Sequence, residues 1–227
     1  MSRGATLRLA LSAAQPAKVA ASTPDELRRD LRLIADMIEP GARVLDIGCG
    51  DGALLAYLAR EKAVDARGME LSQSGVNACV RHGLSVIQGD ADRDLDAFPV
   101  GAFDVAVLSQ TLQATREPRH VLETLIRIGK RAIVSFPNFG FWRIRLSLLW
   151  RGRMPVSELL NNPWYDTPNI HLCTIRDFVA LCDQIGVRIE RSLTLDRHGR
   201  PFALNPRGGL ANLLAEQAVF VLSGTKS

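Results

Sequence analysis

Cysteine is scarce in this chain, and its spacing excludes several functions. Cys49, Cys79, Cys173 and Cys182 form no C-x-x-C pair and no zinc-ligand spacing, so neither a zinc module nor a thioredoxin-type redox motif is expected. They read as reduced thiols of a cytoplasmic protein. No run of eighteen or more uncharged apolar residues occurs, and no membrane span is expected. Acids are missing from two stretches. None precedes Asp25, while Arg3, Arg8 and Lys18 stand there among Ala, Ser and Leu. Arg8 interrupts the apolar run and Gln15-Pro16 ends it, so a secretory leader is poorly made. Residues 1–22 are expected to be a disordered extension or a start assigned too far upstream. The second acid-free stretch, Arg127 to Arg153, holds seven Lys or Arg, although the whole chain carries only +4.

With 227 residues and 47% hydrophobic content, one good-sized core is expected, hence a single domain over 23–227. Its most informative stretch is Val44-Leu45-Asp46-Ile47-Gly48-Cys49-Gly50-Asp51-Gly52. An apolar strand turns tightly into a helix there. The alternate glycines permit positive φ and remove Cβ atoms, so the backbone N–H groups opening the next helix are expected to face a bound group. The spacing is G-x-G-x-G rather than the dinucleotide G-x-G-x-x-G, and Asp46 would repel a pyrophosphate. S-adenosylmethionine, with an α-ammonium, a sulfonium and no phosphate, is complementary to that acid. Cys49 is expected to pack behind the turn, because no basic partner is near to make it a nucleophile.

Further acids fall at matching places. Glu70 ends a short strand, Arg67 to Leu71, twenty residues after Gly50, where a carboxylate can accept both ribose hydroxyls. A third strand, Leu84 to Gln88, runs into Gly89-Asp90-Ala91-Asp92. Phe103 to Leu108 reads as a strand buried on both faces and leads to Ser109. Arg131 to Phe136, Val187 to Leu195 and Ala218 to Ser223 complete seven strands, the last antiparallel, with Arg197 to Gly209 rich in turns. Helices are expected from the capping box Thr23-Pro24-Asp25-Glu26, with Leu27, Leu31, Ile34 and Ile38 inward. Others follow Gly52, start near Pro118 and run from Thr174 to Ile185. Alternation of this kind implies an α/β fold with a mostly parallel sheet and helices on both faces. With seven strands and the glycine-rich stretch after the first, it resembles the Rossmann-like class I methyltransferase fold. Asp46, Glu70, Asp90 and Ser109 would then meet at the carboxyl edge of the sheet.

Between the fifth strand and the helix at Thr174 lies an insertion, about residues 137–173, that holds all three tryptophans. Such a length suggests function, as a lid or an acceptor wall. In its basic part Arg143, Ser147 and Arg151 recur at helical spacing, with Phe141, Ile144, Leu148 and Leu149 able to face the other way. That face reads either as a solvated surface or as a dock for an acidic partner or anionic acceptor. The pI near 9.1 does not by itself indicate nucleic acid, since no nucleic-acid module appears.

The chain from about Leu27 to Leu195 closely resembles the methionine biosynthesis protein MetW family. The resemblance rests on the glycine-rich stretch, on Phe136-Pro137-Asn138-Phe139-Gly140, on Gly152-Arg153-Met154-Pro155-Val156, and on Trp164-Tyr165-Asp166-Thr167-Pro168-Asn169-Ile170-His171. The first is common to class I methyltransferases, in which the acid after the third strand holds the adenine amino group; Asp90 matches, with Asp92 the alternative. The resemblance implies a cytoplasmic protein acting beside homoserine O-acyltransferase, acetyl or succinyl, in methionine synthesis. Cofactor contacts are expected at Asp46, Gly48, Cys49, Gly50, Glu70, Leu71, Asp90, Ala91 and Ser109, for S-adenosylmethionine or S-adenosylhomocysteine. The Asn/Asp-Pro-Pro-Tyr signature of amino-methylating enzymes is replaced by Ser109-Gln110-Thr111-Leu112. Candidate bases are His171 and Tyr165, with loop packing or helix capping an equal reading of His171. Two functions stay open: a cofactor-binding subunit that supports homoserine acylation, and a methyltransferase acting on a small molecule.

Overall fold

The computed structural model describes residues 27–156 and 162–224. The 1–22 extension and the capping box at Thr23 to Glu26 lie outside the described residues. The first helix, α1 (Arg29–Asp36), leads to the strand β1 (Arg43–Ile47), then α2 (Ala53–Lys62), β2 (Asp65–Glu70), α3 (Gln73–Arg81) and β3 (Ser85–Gln88). After β4 (Phe103–Ser109) come α4 (Pro118–Ile128), β5 (Gly129–Pro137), α5 (Trp142–Arg151) and α6 (Ile175–Gln184). The chain finishes with β6 (Val187–Leu195), β7 (Pro201–Phe202), α7 (Gly209–Leu214) and β8 (Gln217–Gly224).

These strands form one sheet of order β3-β2-β1-β4-β5-β8-β6-β7. Strands β1 to β5 are parallel, and β8 inserts antiparallel between β5 and β6. The seven expected strands are present, and an eighth was not foreseen. Two-residue β7 pairs with the end of β6, Thr194 opposite Phe202, inside the stretch expected to be rich in turns. Short α7 follows it. A two-residue strand has too little alternation to be read as periodic.

Successive strand residues point to opposite faces, and each face has its own core. Leu45, Ile47, Ala106 and Leu108 pack with Val121, Leu122 and Leu125 of α4 and with Phe178 and Val179 of α6. Val44, Val105 and Val107 pack on the other side with Ile34 and Ile38 and with Leu54 and Leu58 of α2. The first face is centred on Phe136, Phe178 and Phe220, whose ring centroids lie 4.7 to 5.8 Å apart. Because the strand order reverses between β1 and β4, the crevice of this open sheet lies at their carboxyl ends.

The insertion contains α5, as its spacing suggested, but the inward side is narrower than expected. Phe141 and Ile144 are buried, whereas Leu148 and Leu149 stay exposed. The last turn of the helix has left the body of the protein, so no core is there to receive them. The root of the insertion is Asn138. Its amide nitrogen donates to the carbonyls of Asn212 (2.9 Å) and Ala215 (2.7 Å), and its Oδ1 accepts from the N–H groups of Gly140 (2.9 Å) and Ile175 (3.2 Å). One buried side chain thus holds the end of β5, the start of α6 and the C-terminal end of α7 together. Gly140 follows from the same packing, since a Cβ there would lie 2.6 Å from Asn212 Oδ1.

Asn138→Ala should therefore destabilise the protein by about 3 kcal/mol, because it strands buried donors and acceptors at 1–3 kcal/mol each. Urea unfolding at constant pH measures this. Asn138→Asp should also destabilise, since it keeps the acceptor and loses both donated bonds.

Candidate functional site

The turn after β1 is shaped by its hydrogen bonds. The N–H groups of Gly48 and Cys49 both donate to Met69 O, at 2.8 and 3.2 Å. The Gly50 N–H donates to Glu70 Oε2 at 2.9 Å, and Glu70 Oε1 accepts from Ser72 N–H at 2.8 Å. These three amides are used within the chain, binding the turn to the end of β2. Of the N–H groups opening α2, which were expected to face a ligand, that of Gly52 donates to Cys49 O at 3.0 Å and that of Ala53 to Asp51 Oδ1 at 3.2 Å. With its donors turned inward the turn is a poor phosphate cradle.

Gly48 and Gly50 are required for different reasons. Both have positive φ, but a Cβ on Gly48 would sit 2.4 Å from Thr111 Oγ1, whereas nothing lies within 4 Å of one on Gly50. Gly48 packs against the loop after β4. Gly50 leaves bare backbone beside open space. Cys49 is buried, as expected, with its Sγ 3.9 Å from that of Cys79. Burial raises its thiol pKa far above the ordinary range, with the Asp46 charge adding to the effect, so it is a poor nucleophile.

Asp46 is the penultimate residue of β1, between Gly68 of β2 and Val107 of β4. It is only 3% exposed, and no donor among the described residues reaches its buried Oδ1. Burial pushes its pKa up to about 7, the Glu70 charge pushes the same way, and Arg28 opposes them. An unpaired buried acceptor is costly. A cationic ligand group would supply what it lacks.

The other expected residues are distributed along this edge. Leu71 follows Glu70 and is 65% exposed. Asp92 is engaged elsewhere: its carboxylate accepts from the N–H groups of Arg116 and Glu117 at the start of α4. Asp90 accepts from Asp92 N–H through Oδ1, with Arg93 4.0 Å from its Oδ2. Asp90 is therefore the carboxylate with more acceptor capacity left, and Ala91 beside it packs at the edge of the core. The Ser109 hydroxyl pairs with Ser135 Oγ at 3.1 Å, across β4 and β5.

The two candidate bases lie in the insertion, and both have other occupations. His171 Nε2 is 3.3 Å from Arg116 O, and its backbone N–H donates to Gln113 O. This is loop packing, while helix capping falls to Thr174 and Asp177. Tyr165 is 74% exposed and meets Trp164 edge-on.

Residues that were not foreseen complete this edge. Asp30 of α1 is buried and accepts from Arg28 (3.2 and 2.8 Å), from Gln110 Nε2 (3.0 Å) and from Gln217 Nε2 (3.2 Å). This knot joins α1, the end of β4 and the start of β8. It holds Gln110 at φ +51, a conformation that costs a non-glycine residue about 1 kcal/mol or more. Buried Gln113 presents a second orphan, Oε1. The signal for Asp30 was its position four residues before Ile34 and eight before Ile38, within the inward stripe.

Compared with known families, residues 28–222 match the model of the methionine biosynthesis protein MetW. The chain belongs to the MetW family. A "Bifunctional methionine biosynthesis protein MetXA/MetW" of Rhodopirellula baltica is 33% identical over 179 residues, 75% of this chain but only 29% of that relative. A "Ubiquinone biosynthesis O-methyltransferase" of Xanthomonas oryzae is 34% identical over 95 residues, 40% of this chain and 39% of its own length. Among solved structures, a SAM-dependent methyltransferase of Archaeoglobus fulgidus superposes with a TM-score of 0.63 at 15% identity, covering 88% of this chain and 94% of its own. The [4+2]-cyclase SpnF gives 0.63 at 21% identity, covering 88% and 82%. The class I methyltransferase fold is thereby shown. It hosts more than one chemistry, so it does not fix the reaction. Among the described residues no helix is long and apolar enough to cross a membrane.

The position of Asp46 has a testable consequence for stability. A carboxyl whose folded pKa is raised contributes stability below its ordinary value near 3.8, and loses it as pH rises through about 7. Without ligand, Asp46→Asn should therefore melt about 5 °C above the parent at pH 8, with the difference shrinking toward pH 4. Calorimetric scans across that range check it.

Proposed function

We propose that this chain binds S-adenosylmethionine or S-adenosylhomocysteine at the carboxyl edge of the sheet, and acts with a homoserine O-acyltransferase in homoserine acylation. The observation that carries the cofactor reading is the orphaned Asp46 Oδ1 near the open backbone of Gly50. A buried acceptor beside a turn with inward donors suits an ammonium-bearing ligand and disfavours a phosphate. In this reading Asp46 takes the α-ammonium, Glu70 the ribose hydroxyls and Asp90 the adenine amino group. Leu71 and Ala91 flank the adenine, Gly48 and Cys49 shape the turn, and Ser109 borders the sulfonium end. The cofactor, when bound, brings an activated methyl group; the chain's own part is to bind and orient it.

The partnership is supported by the Rhodopirellula relative, whose name joins MetXA and MetW in one bifunctional protein. A methyltransferase acting on a small-molecule acceptor needs a proton acceptor for many substrates. His171 and Tyr165, the residues first considered for that part, are committed to loop packing and to the surface. This favours the reading in which the cofactor is bound and not consumed.

Isothermal titration of the purified chain with S-adenosylmethionine should show binding that weakens tenfold or more in Asp46→Ala and in Glu70→Ala. The affinity should rise with pH up to about 7 as Asp46 ionises. Undiminished affinity in both variants would remove the site assignment. Added to a homoserine O-acyltransferase, the chain should raise the acylation rate without stoichiometric formation of S-adenosylhomocysteine. If S-adenosylhomocysteine accumulates with a metabolite and acylation is unchanged, the protein is a free-standing methyltransferase.

A further inference from the structure

Helix α5 carries a surface of unusual chemistry. It is attached to the body through Phe141 and Ile144, with Phe139 beside them. Leu146 and Ser147 are half-buried, while the other side chains of the helix are exposed, Leu149 and Trp150 in its last turn by 75% and 77%. Trp142, one helical turn pair earlier on the Leu149 side, is 40% exposed, with the Arg143 guanidinium 5.7 Å from its ring centroid. Leucine and tryptophan together in the final turn of a short helix gain nothing from water, and large exposed apolar clusters mark interaction sites.

Charge on the same helix narrows what can cover it. Of the seven cations between Arg127 and Arg153, the first three are paired: Arg127 with Asp96, Lys130 with Asp104 and Arg131 with Glu190. Arg145 donates to Gly140 O. Arg143, Arg151 and Arg153 meet no carboxylate among the described residues. Tryptophan flanked by arginine is the composition enriched where protein interfaces concentrate their binding energy. A second copy of this face would bring like charges together. The N-terminal stretch of the chain itself, with Arg3, Arg8, Lys18 and no acid before Asp25, has the same sign.

We infer that the α5 face, built on Trp142, Leu149 and Trp150 with Arg143, Arg151 and Arg153, is the docking surface for the acyltransferase, which meets it with an apolar patch rimmed by carboxylates. The inference rests on the partnership proposed above and adds the place of contact. It separates the molecule into two working ends: a cofactor edge held by the turn at Gly48 to Gly52, and a partner helix rooted through Asn138. Among the described residues, no hydrogen bond, ion pair or ring contact joins the residues that would bind the partner to a candidate cofactor residue. Losing the partner should therefore leave cofactor binding intact.

The test uses the full chain and a homoserine O-acyltransferase from the same genome, with complex formation measured by sedimentation and by biolayer interferometry. Arg143→Glu combined with Arg151→Glu should weaken the complex tenfold or more, and Trp150→Ala should do the same. Raising salt from about 50 to 300 mM should weaken the parent complex in the same direction. Melting temperature and S-adenosylmethionine affinity should stay at parental values in these variants, since all three side chains are exposed. A parent complex whose affinity the variants leave unchanged overturns the surface assignment and leaves the partnership standing. No parent complex at all overturns both. If the parent protein instead self-associates, or sediments with vesicles of phosphatidylcholine and phosphatidylglycerol, and the variants abolish that behaviour, the face serves another occupant and the inference fails.

Discussion

Two amides sharing one carbonyl set the shape of the candidate site. Gly48 and Cys49 both donate to Met69 O, and Gly50 adds a bond to the carboxylate of Glu70. The turn after β1 is thereby sewn to the end of β2, and the acids near the ends of those two strands stay close enough for Glu70 to raise the Asp46 pKa. Opening this turn would release Glu70 and alter the environment of Asp46 together. Gly75 belongs to the same construction, because a Cβ there would lie 2.8 Å from Gly50 O and 2.7 Å from Glu70 Cγ. On either side of Cys49 glycine is favoured for different reasons: a Cβ on Gly48 would collide with Thr111 Oγ1, and Gly50 holds a positive φ.

The arrangement keeps one carboxylate in an unfavourable state. Asp46 is buried, close to another acid and short of a donor. Proteins retain such groups where a ligand relieves them, at a cost to the stability of the free protein. On the far side of the crevice, the Asp30 knot restrains Gln110 in a left-handed conformation at the end of β4. Both features lie where the strand order reverses, which is where an open α/β sheet has room for a ligand.

The insertion follows a different logic. Asn138 makes its base rigid through four buried hydrogen bonds, while α5 leaves the core after its first turn. A firm root with an apolar, cationic end is a way to present a surface without disturbing the sheet. The family-specific segments divide along the same line: the Phe136 to Gly140 segment makes the root, and the Gly152 to Val156 segment follows the end of the presented helix.

Much of the architecture was legible along the chain, because its cues are local. Apolar runs bounded by glycine marked the parallel strands, and Pro118 and Thr174 marked helix starts that agree with α4 and α6 within a residue. The acids Asp46, Glu70 and Asp90 could be placed at strand ends for the same reason: a strand's end is written in its neighbours. What only the tertiary structure decided was how each polar group is spent. The Gly48, Cys49 and Gly50 amides turned out to be donors to the chain itself, Asp92 was taken up by the start of α4, and His171 by the loop at Arg116. Asp30 became a buried hub, and Leu148 and Leu149 were left outside. Each outcome depends on a partner distant in sequence, as Asp30 and Gln217 are 187 residues apart. Periodicity reports which side of an element is apolar; whether another element arrives to cover that side, or to satisfy a carboxylate, is settled only when the sheet closes the distance.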